Sequence, residues 1–379
     1  MKKFLALILA LVMSLSLVAC GGSKEEAKPA EQPAEEQGAD FSVAMITDYG
    51  DITDQSFNQT TYEACKAYCE ANGVDFNYYK PAGDSTAERV AMVEAAVDDG
   101  YTVVVMPGYA FGETITQVAD EYSDITFIAL DVGEGDLGDY TLPSNVYCAV
   151  YQEELCGYMA GYAAVKLGYT HLGFLGGMAV PAVVRYGYGF VQGADAAATE
   201  TGADVTMEYV YGNQFWGDAD ITAYMDNWYQ TLGVEVVFAC GGGIYASAAE
   251  AAAKVGGKVI GVDVDQAAII DGGYGDGMTV TSAMKGLAPT VEHMLTEVAA
   301  GNFANYGGKI ETLGLVSGDD PAANYVQIPM ESTQWSDSFS QDDYKALVKD
   351  MFDGKITVSN DISAMPATSI AVNEYGNIK

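Results

Sequence analysis

The chain has 379 residues, enough for two or three domains at roughly 100 to 200 residues each, and its 49% apolar content is that of a packed globular protein. Lysine and arginine total 17 against 53 aspartates and glutamates, a formal charge of −36. A surface that acidic repels polyphosphate instead of releasing its counterions, which excludes nucleic acid as a partner.

Met1, Lys2 and Lys3 supply a short basic start, and Phe4 to Ala19 form an apolar run too short and too one-sidedly flanked for a stable membrane span. Residues 1–19 therefore read as an export signal. The run ends in Leu17-Val18-Ala19-Cys20-Gly21, which resembles a bacterial lipobox: small residues let a signal peptidase cut before Cys20 once its thiol carries diacylglycerol. Residues 20–40, rich in Ser, Lys, Glu, Pro, Gln and Gly, have no apolar periodicity and read as a solvated tether. No later segment approaches about 18 consecutive apolar residues, so the remainder is expected to be soluble. Its membrane attachment is then the N-terminal lipid, on the extracytoplasmic face of the cell membrane.

From Asp40 onward, short apolar runs suited to buried parallel strands alternate with stretches of helical period, an α/β signature. Strands are expected at Val43 to Thr47, Phe76 to Tyr79, Val103 to Met106 and Phe127 to Leu130. A second set runs Leu172 to Leu175, Val205 to Val210, Val236 to Cys240, Val259 to Val262 and Thr279 to Ser282. Helices are expected at Ser56 to Asn72, Thr86 to Asp98, Gln152 to Leu167, Val183 to Glu200, Ile244 to Val255 and Leu287 to Ala300, several closed by a following glycine. Each set suggests one doubly wound sheet. The expected lobes are residues 41–147 plus about 284–309, and residues 148–283 plus about 310–379, with crossings near Asn145 to Cys148 and around Thr281 to Lys285.

Beyond Cys20 lie Cys65, Cys69, Cys148, Cys156 and Cys240, an odd count that argues against a complete disulfide framework and for buried free thiols. His171 and His293 stand far apart, which leaves little for a histidine metal site or a Ser-His triad, and no metal or cofactor is expected. Several buried runs end in polar or glycine-rich turns: Thr47-Asp48, Met106-Pro107-Gly108, Leu130-Asp131, Leu175-Gly176-Gly177, Cys240-Gly241-Gly242-Gly243 and Val262-Asp263. Ligands of parallel sheets bind outside the carboxyl ends of the strands, so these turns point at one shared site in the cleft between lobes.

Several stretches resemble the basic membrane protein family, the PnrA-like purine nucleoside receptors that serve ABC importers. They are Asp54-Gln55-Ser56-Phe57-Asn58-Gln59, Gly176-Gly177 through Pro181, Val184, Arg185, Tyr186 and Gly189-Phe190 to Gly193, Gly261 to Gln266, and Thr281 to Lys285. Each alone is weak; their order after a lipobox is specific. The resemblance implies an α/β type I periplasmic-binding-protein fold whose two doubly wound, parallel-sheet lobes close over a nucleoside. It implies no catalysis, an ABC permease and ATPase complex as partners, and a monomer. One departure is Trp216, where the family pattern more often has phenylalanine two residues before Asp218.

A nucleoside offers a flat base and a ribose with a cis diol. Phe57 and Trp216 are assigned to the two faces of the base, with Phe215 as substitute for Trp216. Asn58 both donates and accepts, which suits a purine edge, and Asp48 is a second base contact. Asp263 and Lys285 suit the ribose, a carboxylate accepting from the diol and a cation offsetting its charge, with Asp131 beside them. Gly242 lets backbone approach the sugar, or only forms a tight turn. The plainer alternatives are a helix staple for Phe57, a helix-start bond for Asn58, turn or cap roles for Asp51 and Asp54, and a structural role for Arg185 and Tyr186. At the level of function, the alternatives are a sugar or signalling molecule on the same fold, a nucleoside hydrolase using clustered aspartates and calcium, and a surface lipoprotein for adhesion.

Overall fold

The computed structural model describes residues 41–379; the export signal, Cys20 and the tether lie outside the described residues. The strands are β1 (Val43–Ile46), β2 (Phe76–Tyr79), β3 (Val103–Pro107), β4 (Thr126–Leu130), β5 (Val146–Tyr151), β6 (His171–Gly176), β7 (Thr206–Tyr211), β8 (Val236–Cys240), β9 (Lys258–Asp263), β10 (Thr279–Lys285), β11 (Lys309–Leu313), β12 (Val326–Gln327) and β13 (Ala371–Asn377). They form a six-stranded sheet in the order β11-β5-β4-β3-β1-β2 and a seven-stranded sheet in the order β12-β10-β9-β8-β6-β7-β13. All pairings are parallel except β10 with β12. The central strands are apolar on both faces because helices cover both: Val43 to Ile46 and Val236 to Ala239 have no exposed surface.

The chain leaves the first sheet later than expected. β5 extends through Tyr151 beside β4, so the crossing follows Tyr151 instead of preceding Cys148. β10 stays in the second sheet to Lys285, and the helix Leu287–Ala299 then packs on the helix Phe57–Asn72 of the first lobe. β11, expected to begin the second lobe, pairs with β5 in the first sheet. Its sequence, Lys-Ile-Glu-Thr-Leu, has no buried run and takes its order from the strand beside it.

The helices Glu153–Lys166 and Pro181–Thr201 pack backbone against backbone. A Cβ on Gly157 would fall 2.2 Å from the Tyr186 carbonyl oxygen, so only glycine permits this approach. That contact brings Glu153 on one helix to Arg185 and Tyr186 on the other. No helix among the described residues is long and apolar enough to cross a membrane.

Candidate functional site

A cavity of about 420 Å³ lies between the lobes, within the range of small-molecule sites. Its walls are strand ends. Asp48 and Tyr49 follow β1, Gly108 and Tyr109 follow β3, Asp131 follows β4, Gly241 to Gly243 follow β8, Asp263 closes β9 and Lys285 closes β10. Phe57 and Asn58 open the helix Phe57–Asn72, and Phe215 and Trp216 come from the loop after β7. Gln55, Asp131, Asn213 and Asp263 are the described non-glycine residues with left-handed backbone; Asp131 and Asp263 line this cavity, and Gln55 follows Asp54, which also does. Strain of about 1 to 3 kcal/mol per such residue persists only where surrounding structure enforces it, and it gathers at functional sites.

One part of the cavity is an ion cluster. The Lys285 ammonium stands 2.6 Å from Asp131, 3.5 Å from Glu153 and 3.8 Å from Asp263, with its side chain 2% exposed. Burial alone would lower its pKa; the carboxylates of Asp131, Asp263 and Glu153 outweigh burial and raise it, so Lys285 is charged. The ammonium also lies 4.7 Å from the centre of the Phe57 ring. Arg185 Nε donates to Glu153 at 2.6 Å, Tyr186 donates to Asp263 at 3.3 Å and Ser56 donates to Asp263 at 2.6 Å. Burial pushes the Asp131 carboxyl up and Lys285 holds it down, while Glu153 and Asp263 push it further up. Its second oxygen is buried without a partner.

The other part is aromatic and carries fewer charges. Phe215 packs onto the turn after β6, where a Cβ on Gly177 would fall 2.4 Å from its ring. The Tyr49 ring, from the opposite lobe, is centred 6.3 Å from that of Phe215, and its hydroxyl donates to Met178 Sδ at 3.1 Å. Trp216, 54% exposed, forms the rim. Asp48 is buried and accepts from the backbone of Tyr49 at 2.6 Å and Gly50 at 2.7 Å. Burial raises its pKa against those bonds. Asn58 turns its amide nitrogen toward Asp54, at 3.3 Å, and its oxygen is buried without a partner.

The family described as "ABC transporter substrate-binding protein PnrA-like" matches residues 41–349. The chain belongs to this family. It is 29% identical to the CD4+ T-cell-stimulating antigen of Listeria innocua, over 82% of this chain and 87% of that protein. It is 25% identical to the ABC transporter nucleoside-binding protein BmpA of Lactococcus lactis, over 94% of this chain and 99% of that protein. Among solved structures, an ABC transporter solute-binding protein of Aeropyrum pernix superposes with a TM-score of 0.64 at 22% identity, covering 85% of this chain and 88% of that one. One from Conexibacter woesei gives 0.63 at 22% identity, covering 84% and 99%. These likenesses carry the fold, the two-lobed periplasmic-binding architecture expected from the sequence.

Every candidate residue of the sequence reading, Asp48, Phe57, Asn58, Asp131, Phe215, Trp216, Gly242, Asp263 and Lys285, lines this one cavity of the family fold. Gly242 does so from a tight turn with φ of 51°, its backbone against the Phe215 carbonyl. Asp51 and Asp54 line it too, yet their carboxylates are occupied: Asp51 accepts from Thr53, and Asp54 from the backbone of Ser56, Asn58 and Gln59. Tyr186, read as structural, lines the cavity; Arg185 does hold a structural partner, Glu153. Tyr49, Tyr109, Ser56 and Glu153 were missed. A glutamate in a helix's first turn reads as a dipole partner, and a serine before a helix as a cap. Outside the cavity, His171 bonds Glu208 at 2.9 Å and His293 bonds Tyr306 at 3.0 Å; the cysteines beyond Cys20 are buried and unpaired, and Cys240 among them lines the cavity.

Proposed function

We propose that the chain is the lipid-anchored receptor of an ABC importer and that its ligand is a purine nucleoside, held without turnover. The observation that carries this reading is the juxtaposition in one cavity of aromatic rings from both lobes with the Asp131–Lys285–Asp263 cluster. A base takes the rings: Phe57 on one side and Phe215 or Trp216 on the other, with Asp48 and Asn58 at its edge. The ribose diol donates to Asp263 and Asp131, and Lys285 donates to a ribose oxygen. Buried acceptors on Asn58 and Asp131 have no protein donor, an arrangement that costs about 1 to 3 kcal/mol each unless a ligand supplies one. The nucleoside-binding name of the Lactococcus relative agrees with this reading.

Attachment through Cys20 places the protein on the extracytoplasmic face of the cell membrane, where it delivers ligand to a permease and ATPase complex as a monomer. The test is a melting-temperature panel of nucleosides, free bases, nucleotides and sugars on the fragment from residue 40 onward; the residues from Gly38 to Lys379 form a compact unit of their own. A ligand for the native state raises the melting temperature by mass action. A rise with inosine, guanosine or adenosine and a much smaller one with ribose, which binds weakly, is expected; a rise with sugars alone discards the purine reading, and release of free base from inosine discards the receptor.

A further inference from the structure

The segment Asp54-Gln55-Ser56 carries bonds that the ligand reading does not use. Ser56 occupies the N-cap position of the helix Phe57–Asn72, but its hydroxyl caps nothing. Asp54 does that work, accepting from the backbone of Ser56 at 2.9 Å, Asn58 at 2.9 Å and Gln59 at 3.0 Å. The freed hydroxyl crosses the cleft and donates to Asp263 at 2.6 Å, with both residues buried. Gln55 beside it has φ of 56°, and its carbonyl accepts from Gln266 of the opposite lobe at 3.0 Å. Gln266 is in turn fixed by its own lobe, its side-chain oxygen accepting from Val262 at 2.9 Å and its backbone donating to Ser282 at 3.1 Å. A rigid donor in one lobe thus meets a strained carbonyl in the other, next to a charge-assisted bond.

We propose that Gln55 and Ser56 form a closure latch, and that Ser56 is a positioning residue for Asp263. The helix end is capped from two residues upstream so that the serine is free to reach across. Opening the lobes breaks both cross-cleft bonds at once. One oxygen of Asp263 is held by Ser56 and the other receives Tyr186, so closing the latch also fixes the carboxylate's orientation. Closure and presentation of Asp263 to the cavity are then one event, because Phe57 and Asn58, which follow Ser56 directly, line the same cavity.

The test compares the parent with Ser56→Ala, first without any ligand. Hydrogen exchange and small-angle scattering are expected to show the amides of residues 262–267 exchanging roughly tenfold or more faster and the radius of gyration increased, since a lost hydrogen bond to a charged group shifts such an equilibrium by about ten- to hundredfold. The amides of residues 57–60 should keep their protection, because Asp54 remains. Loss of protection at residues 57–60 instead would make Ser56 a helix cap and overturn the latch, as would unchanged exchange at 262–267. The second arm, which rests on the nucleoside reading, follows inosine release by stopped flow, expected to be about ten- to hundredfold faster in Ser56→Ala. A parent protein that gives no signal with inosine would count against the nucleoside reading, while the ligand-free comparison still decides the latch.

Discussion

The two parts of the cavity obey different physics. Around Lys285, charges removed from water hold one another at short range, three carboxylates against two cations: an ammonium faces Asp131, Glu153 and Asp263, and Arg185 backs Glu153. Around Phe215 and Trp216, the walls are rings and neutral donors, with Asp48 the buried carboxylate whose bonds come from backbone N–H groups. The first part is expensive to build and intolerant of any missing member. The second tolerates loss of a wall in the folded state and shows the loss only when ligand binds. Substitutions should therefore divide into those that cost stability and those that cost affinity alone.

The largest effect is expected at Lys285→Met. Removing the cation leaves Asp131 buried without its partner and Glu153 with Arg185 alone, and breaking a buried pair from one side costs about 3 to 5 kcal/mol. Urea unfolding should show that loss without ligand, and nucleoside binding should disappear with it. A variant of parental stability would mean that the cluster is solvated and that the two parts of the cavity do not differ in this way.

Glu154, next to Glu153 in sequence, sharpens the comparison from beside the charged part. Its neighbour Glu153 is fully paired, whereas a Glu154 oxygen is buried without a partner. Burial, reinforced by Glu153, pushes its pKa from 4.5 to about 7. Because the folded value lies above the unfolded one, Glu154 favours the folded chain fully below about pH 4.5, and that contribution is lost as pH rises through about 7. A shift of this size is worth about 3 kcal/mol. Glu154→Gln should unfold at higher urea than the parent at pH 8 and lose the advantage by pH 5. Equal midpoints at both values would place the carboxylate in water.

How far this contrast was legible in the sequence depended on where each residue sits. Asp48, Asp131, Asp263 and the glycines from Gly241 could be read because they follow buried apolar runs, and the carboxyl ends of parallel strands converge by topology. Lys285 stood out in a chain poor in cations. Glu153 and Ser56 could not be read, since their local settings already explain them and only the second lobe reveals their partners. β11 and β13 escaped for a related reason: residues such as Lys309 and Glu374 are exposed, and the neighbouring β5 and β7 impose the strand. Asp131 and Asp263 have φ of 61° and 65°, a strain that no residue pattern announces.

On the aromatic side, Phe215→Ala should leave the unfolding midpoint close to parental and weaken nucleoside binding by about 1 to 3 kcal/mol, the usual worth of one stacked base. Free ribose, which has no base to stack, should be unaffected. If titration calorimetry finds ribose and inosine weakened equally, Phe215 shapes the cavity as a whole and does not face the base.

The smallest effect is expected at Trp216→Ala, and it separates two rings that adjoin in sequence. Phe215 is fixed between the Gly177 and Gly241 backbones, so a base stacking on it meets a surface already ordered. Trp216 is 54% exposed, and a ring that stays largely in water gains less from covering a ligand and must be ordered to do so. Its removal should cost less than about 1 kcal/mol of inosine affinity, with most of the change in the release rate, as for a residue that closes a rim. A loss at Trp216 equal to or greater than that at Phe215 would reverse the assignment. The indole would then be the face of the base, and Phe215 the packing that supports it from below.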